Sequence, residues 1–211
     1  LVTNGTKTFK TRSQRFTSQE SLLGSVLPPI QGVFQTPLLS LECACPDKKL
    51  GVNVYTAKLF AKEKVDKEDL HRLTVNEIAA VHLYTQQTNL YQELNNALRN
   101  ANRNEVKPFF PYLRLLLSAF NKLPVYQGLL YRGVKAKVMY EKGSKKWWWP
   151  VNSCTTDLEV LNNEMYLGQK GCRTQFIIHC IQGINIAEYA AYPNESEVLL
   201  LPGTHLKVEA K

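Results

Sequence analysis

Glu195 and Glu197 flank one serine in Asn194-Glu195-Ser196-Glu197, directly before the apolar run Val198 to Leu201. On an extended strand, residues two apart point the same way, so the two carboxylates are expected to share a face, roughly 6 to 7 Å apart. Such a pair can stabilise an oxocarbenium-like centre and steer an incoming nucleophile, which is the chemistry of glycosidic bond cleavage. A polar lead-in to a buried strand fits the same residues. Tyr131-Arg132-Gly133 closes a second hydrophobic run. There an arginine can grip phosphate through paired hydrogen bonds, and the glycine lets a ligand approach the backbone; an ion pair and a turn would use the same two residues. Ser153-Cys154-Thr155-Thr156, following Trp147-Trp148-Trp149, offers hydroxyls to a ribose or a carboxylate, or serves as plain strand. Tyr91, Asn95 and Arg99 are spaced by four and so form one stripe of a helix, either a binding edge or an ordinary amphipathic border.

These residues need elements to hold them. Residues 1–39, rich in Ser, Thr, Pro and Gln, read as an extended arm in which Pro28, Pro29 and Pro37 interrupt any helix. From Ser40 to Arg103 the pattern is helical. Thr74-Val75-Asn76-Glu77 is a capping box, and Ile78, Val81, Tyr84, Tyr91, Leu94 and Leu98 predict one long helix behind it. A second helix is expected over Phe110–Lys122. Beyond Pro124 the texture becomes strand-like: Gln127–Val134, Trp149–Thr155, Thr174–Ile181, then a turn at Gln182-Gly183 into Ile184–Tyr189. Val198–Leu201, Pro202-Gly203 and His205–Val208 read as a closing hairpin. Helices first and strands second make an α+β domain over residues 40–211.

Composition narrows the functional classes. The 211 residues are 44% hydrophobic and 10% aromatic, ordinary for a packed domain. No apolar run is long enough for a membrane span. The net charge of +8 favours anionic partners. The basic residues are scattered, however, with no basic run interleaved with aromatics, which speaks against nucleic acid. The charged stretch Lys62–Asp69 alternates in sign, as a solvated helix face does. Cys43 and Cys45 have no second pair or nearby histidine, so no metal site is expected. Five cysteines and a sequon at Asn194, beside the paired glutamates, weigh toward an intracellular compartment, with secretion left open. The sequence starts at Leu1 without a leader-like segment, which reads as part of a longer chain. Glycine-loop phosphate sites, zinc-hydrolase and serine-hydrolase motifs are absent from the sequence.

Taken in order, the arginine, the Ser-x-Thr and the Glu-x-Glu resemble the arginine–serine–glutamate signature of the ADP-ribosyltransferases. The branch is the one containing vertebrate arginine-specific enzymes and arginine-modifying bacterial toxins. The resemblance extends from about Ser40 to Val208 and includes Leu83-Tyr84-Thr85, Leu94-Asn95 and Leu201-Pro202-Gly203-Thr204. It implies an N-terminal helical part packed on two β-sheets with an NAD+ cleft between them, and a protein substrate with an accessible arginine. By the same resemblance, Arg132 binds the phosphate and ribose region of NAD+ and the Gly133 backbone holds the nicotinamide amide. Ser153 supports the nicotinamide-ribose pocket and the catalytic glutamate, while Glu197 contacts the ribose and stabilises the cation. Glu195 is the feature shared by members that modify arginine. Tyr91, Asn95 and Arg99 are expected on the cofactor side, and Lys170 and Arg173 are candidates for phosphate contacts. Cys154 and Val151-Asn152 depart from the usual pattern, and residues 162–171, which cover NAD+ in relatives, carry no alignable signature. An NAD+ glycohydrolase using the same site and an inactive NAD- or partner-binding domain are the alternatives; an RNA-binding module is a distant one.

Overall fold

Thr74 opens the best-defined helix as a capping box. Its hydroxyl accepts the Glu77 N–H at 3.3 Å, and the Glu77 carboxylate accepts the Thr74 N–H at 2.7 Å. The computed structural model describes residues 26–45, 51–65, 71–164 and 166–209. Residues 1–25 of the expected arm lie outside the described residues, as does part of the charged stretch after Val65. The described helices are α1 (Leu41–Ala44), α2 (Val54–Val65), α3 (Val75–Thr85), α4 (Leu90–Arg99), α5 (Phe110–Phe120) and α6 (Leu158–Asn162). The strands are β1 (Val125–Val134), β2 (Lys145–Trp148), β3 (Asn152–Thr155), β4 (Thr174–Asn185), β5 (Glu197–Leu200) and β6 (Thr204–Lys207).

The long helix expected after Thr74 is in fact two. The Thr85 hydroxyl donates back to the His82 carbonyl at 2.8 Å, Gln86 turns extended, and Leu90 N–H finds the Thr88 hydroxyl at 3.3 Å. Local side-chain bonds of this kind compete with helix continuation. A 3₁₀ segment, Arg103–Phe109, precedes α5, whose Pro111 sits in the first turn where a missing N–H costs nothing.

β1, β3, β5 and β4 close into an antiparallel ring, and β2 and β6 form a separate ribbon. Three expectations about these strands are corrected. Residues 149–155 are not one strand: the chain leaves the ribbon after Trp148, passes Pro150 and joins the ring at Asn152. Gln182-Gly183 is not a turn, because β4 continues through it to Asn185. A Cβ on Gly183 would lie 2.7 Å from a Val198 methyl and 3.0 Å from Cys180 Sγ, so the glycine serves close strand packing. The closing hairpin is also absent. At Gly203, with φ 78°, the chain departs from β5 and β6 pairs with β2 instead.

The ring interior holds Leu130, Cys154, Ile178, Cys180, Val198 and Leu200 with Trp148. From the opposite side Val151, Ile184, Ile186, Tyr189 and Leu199 join α1 to α5 in one apolar core. The α+β reading of the sequence therefore holds, with both halves packed on shared residues. Among the described residues, no helix is long and apolar enough to cross a membrane.

Candidate active site

Three neighbouring strands carry Arg132 and Gly133, Ser153, and Glu197. In β3 and β5, Thr155 lies opposite Glu197 and Ser153 opposite Leu199; Thr155 is also opposite Tyr131 of β1. Arg132, only 1% exposed, donates from Nη1 to the Ser153 carbonyl at 2.7 Å and lies 5.9 Å from the Trp148 ring. It thereby ties β1 to β3. Burial pushes its pKa below the usual arginine value, and the like charge of Arg99 adds to that shift. Burial likewise pushes the Cys154 thiol up to about 12, leaving it an apolar filler of the ring and not a nucleophile. Ser153, Thr155, Glu195 and Glu197 are all buried.

The two glutamates do not share a strand as expected. Glu195 ends a 3₁₀ turn, Pro193–Glu195, while Glu197 begins β5. Between them Ser196 adopts φ 48° and ψ 45°, a left-handed conformation that a non-glycine residue holds only when its surroundings fix it. Here they do. The Thr155 hydroxyl donates to the Glu195 carbonyl at 2.8 Å, Thr156 N–H reaches the Ser196 carbonyl at 3.3 Å, and Ile186 N–H reaches the Glu197 carbonyl at 3.1 Å. The loop from Ile186 to Glu195 is further tied to α3. Ala191 N–H donates to the Thr85 hydroxyl at 2.8 Å, and His82 Nδ1 meets the Tyr189 carbonyl at 3.3 Å. The expected strand over 184–189 thus ends at Asn185: after Ile186 the chain turns back on itself, Tyr189 and Ala190 N–H both reaching the Ile186 carbonyl, and its further bonds go to a helix.

Two further contacts were not foreseen. The Tyr166 hydroxyl donates to Glu195 Oε1. Leu167 packs on Gly133 so closely that a Cβ there would meet its side chain at 2.6 Å. Tyr166 is the aromatic of the short apolar run Met165-Tyr166-Leu167 between polar residues, and that is its one trace in the sequence.

The helix stripe stands beside β3. Asn95 accepts the Val151 N–H at 3.0 Å and donates to the Val151 carbonyl at 3.2 Å, fixing the lead into β3. Tyr91 is buried, and Arg99 donates to Asn96. Lys170 and Arg173 are exposed, and Arg173 donates to the Gly171 carbonyl at 3.2 Å.

Residues 51–210 match the family described as NAD:arginine ADP-ribosyltransferase. The chain belongs to this family. The Mav protein of Mycobacterium avium (strain 104), whose name places it provisionally among the NAD+–arginine ADP-ribosyltransferases, is 32% identical over 146 residues. The match takes in 67% of this chain and 17% of Mav, so the chain spans only a small part of that relative's length. The eukaryotic mono-ADP-ribosyltransferase ART2.2 aligns at a TM-score of 0.64 and 21% identity, over 77% of this chain and 73% of its own. The Vis ADP-ribosyltransferase of Vibrio splendidus, solved with agmatine, aligns at 0.55 and 24%, over 84% and 82%. These structures share the ADP-ribosyltransferase fold with this member of the family.

Proposed function

We propose that this domain transfers a single ADP-ribose from NAD+ to an arginine of a protein, releasing nicotinamide. One observation carries the reading: Glu197 is buried at the head of β5 opposite Thr155, with a second carboxylate, Glu195, two residues away on a differently directed backbone. NAD+ supplies the glycosidic bond between nicotinamide and ribose that has to break. The donor set fits that substrate, for a buried carboxylate beside buried hydroxyls suits a centre that gains positive charge. Glu197 stabilises that charge, and Ser153 and Thr155 hold the floor of the pocket around it. Arg132 and the Gly133 backbone serve the phosphate and nicotinamide ends, with Tyr91, Asn95 and Arg99 on the cofactor side.

Glu195 faces the acceptor. Its carboxylate can form a paired contact with a guanidinium and take up the proton released as the new C–N bond forms. The left-handed Ser196 lets the two carboxylates address different substrates although they are two residues apart. The agmatine bound to Vis, an arginine mimic, supplies the matching probe.

The test follows nicotinamide release and agmatine labelling in parallel. Glu197→Gln should lower both by about 100- to 1,000-fold, because charge against the developing cation is lost while shape is kept. Glu195→Gln should abolish most labelling and retain much of the slow hydrolysis, since water needs less positioning than a guanidinium. Wild-type NAD+ consumption without labelling of agmatine or any protein arginine would make the domain a glycohydrolase.

A further inference from the structure

Glu195 is 2% exposed, yet the proposed reaction asks it to receive a guanidinium from outside. What stands in the way is named by one hydrogen bond. The Tyr166 hydroxyl, 29 positions earlier in the chain, donates to Glu195 Oε1. Tyr166 is itself only 7% exposed, so a guanidinium cannot settle beside it. We infer that the Tyr166 hydroxyl is the resting occupant of the acceptor site, which Glu195 must exchange for the incoming guanidinium, so that Tyr166 sets acceptor affinity. This rests on the reading of Glu195 given above.

The tyrosine is held there by its own neighbourhood. Asp157 caps α6 by accepting the Glu159 N–H at 2.9 Å. Tyr166 N–H returns to the Asn163 carbonyl at 2.9 Å, and Leu167 and Gly168 N–H groups both reach the Leu161 carbonyl at 3.1 Å. Leu161, Tyr166 and Leu167 form a small apolar cluster of their own, packed on Tyr131 of β1. The cluster carries the ring, and the hydroxyl bonds the carboxylate. A phenol donates one neutral O–H, whereas a guanidinium donates two charged N–H groups in a fork, so the exchange favours the acceptor. Its net affinity is still reduced by whatever the phenol bond contributed. The device therefore favours acceptors that bring a full guanidinium over water or a single ammonium.

Tyr166→Phe separates the hydroxyl from the ring. In transfer to agmatine, KM should fall about ten- to a hundredfold, the scale of one hydrogen bond to a charged group, with the change in KM and not in kcat. An unchanged or raised KM, or a fall in kcat, would overturn the inference and make the tyrosine a support for Glu195. A second measurement needs no variant and no turnover. With 3-fluorotyrosine at position 166, the fluorine NMR signal should shift as agmatine is titrated into the NAD+-free protein, and a static signal would overturn the exchange. Failure of the transferase reading looks different: NAD+ would be consumed with no arginine labelled, whatever the fluorine signal does.

Discussion

Ser196 shows how a single residue can redirect chemistry. A strand would have placed Glu195 and Glu197 on one face, and the spacing in the sequence reads that way. The left-handed turn at Ser196 leaves Glu197 on the strand and Glu195 in the turn before it, and it is fixed by Thr155 and Thr156 from another part of the chain. Arg132 shows the same limit. Its type and its place after an apolar run are legible, but its bond to the Ser153 carbonyl and its near-complete burial are long-range facts. That geometry yields a prediction. Arg132→Lys keeps a charge but lacks the planar fork, so the link between β1 and β3 loosens and a buried ammonium must be accommodated. NAD+ affinity measured by calorimetry should fall at least tenfold, and the melting temperature should fall with it. An unchanged melting temperature would show that the Ser153 contact bears no weight.

Among the elements, α3 was the most legible because its signals are local: a cap, an acid three residues on and an apolar face. The break after Thr85 was not, because nothing in the periodicity marks where side chains outbid the helix. The pairing of β6 with β2 was hidden for a different reason, since adjacency in sequence favoured β5. α3 also carries a prediction about pH. Burial raises the Glu77 pKa, but Lys122 at 2.7 Å, the Thr74 N–H and the Ser118 hydroxyl at 2.7 Å outweigh it and lower it below 4.5. Burial lowers the His82 pKa below 6.5, with the Tyr189 carbonyl partly opposing. For both groups the folded state binds fewer protons than the unfolded chain, so stability is complete above the unfolded values and is lost on acidification. Thermal melts should stay level from pH 8 to 7, decline first through the His82 range and then through the Glu77 range. Glu77→Gln should cost about 1 to 3 kcal/mol at pH 7 and flatten the lower decline. A wild-type melting temperature for Glu77→Gln at pH 7 would contradict the network.

At the scale of the whole molecule, the sequence reads as a helical half followed by a strand half, and such a division could mean two folding units. The packing argues otherwise. Val151, Ile184, Ile186, Tyr189 and Leu199 come from the strand half, yet they lie in the same core as α1 to α5. Polar ties run across the same boundary, from Asn95 to Val151, from the Tyr84 hydroxyl to the Val151 carbonyl at 3.3 Å, and from Thr85 to Ala191. Neither half can keep these groups buried and bonded without the other, so removing one exposes core apolar surface and strands buried polar atoms. The chain offers two separate reporters for this coupling. All three tryptophans, Trp147, Trp148 and Trp149, lie in the strand half, while the helical circular dichroism comes mainly from α2 to α5. Urea titration followed by tryptophan fluorescence and by the helical signal should give superimposable transitions with one midpoint. If fluorescence is lost while helix persists, or the reverse, the shared core is too weak to couple the halves. The position of Glu195, held from α3 on one side and β3 on the other, would then no longer be fixed by a single folded unit.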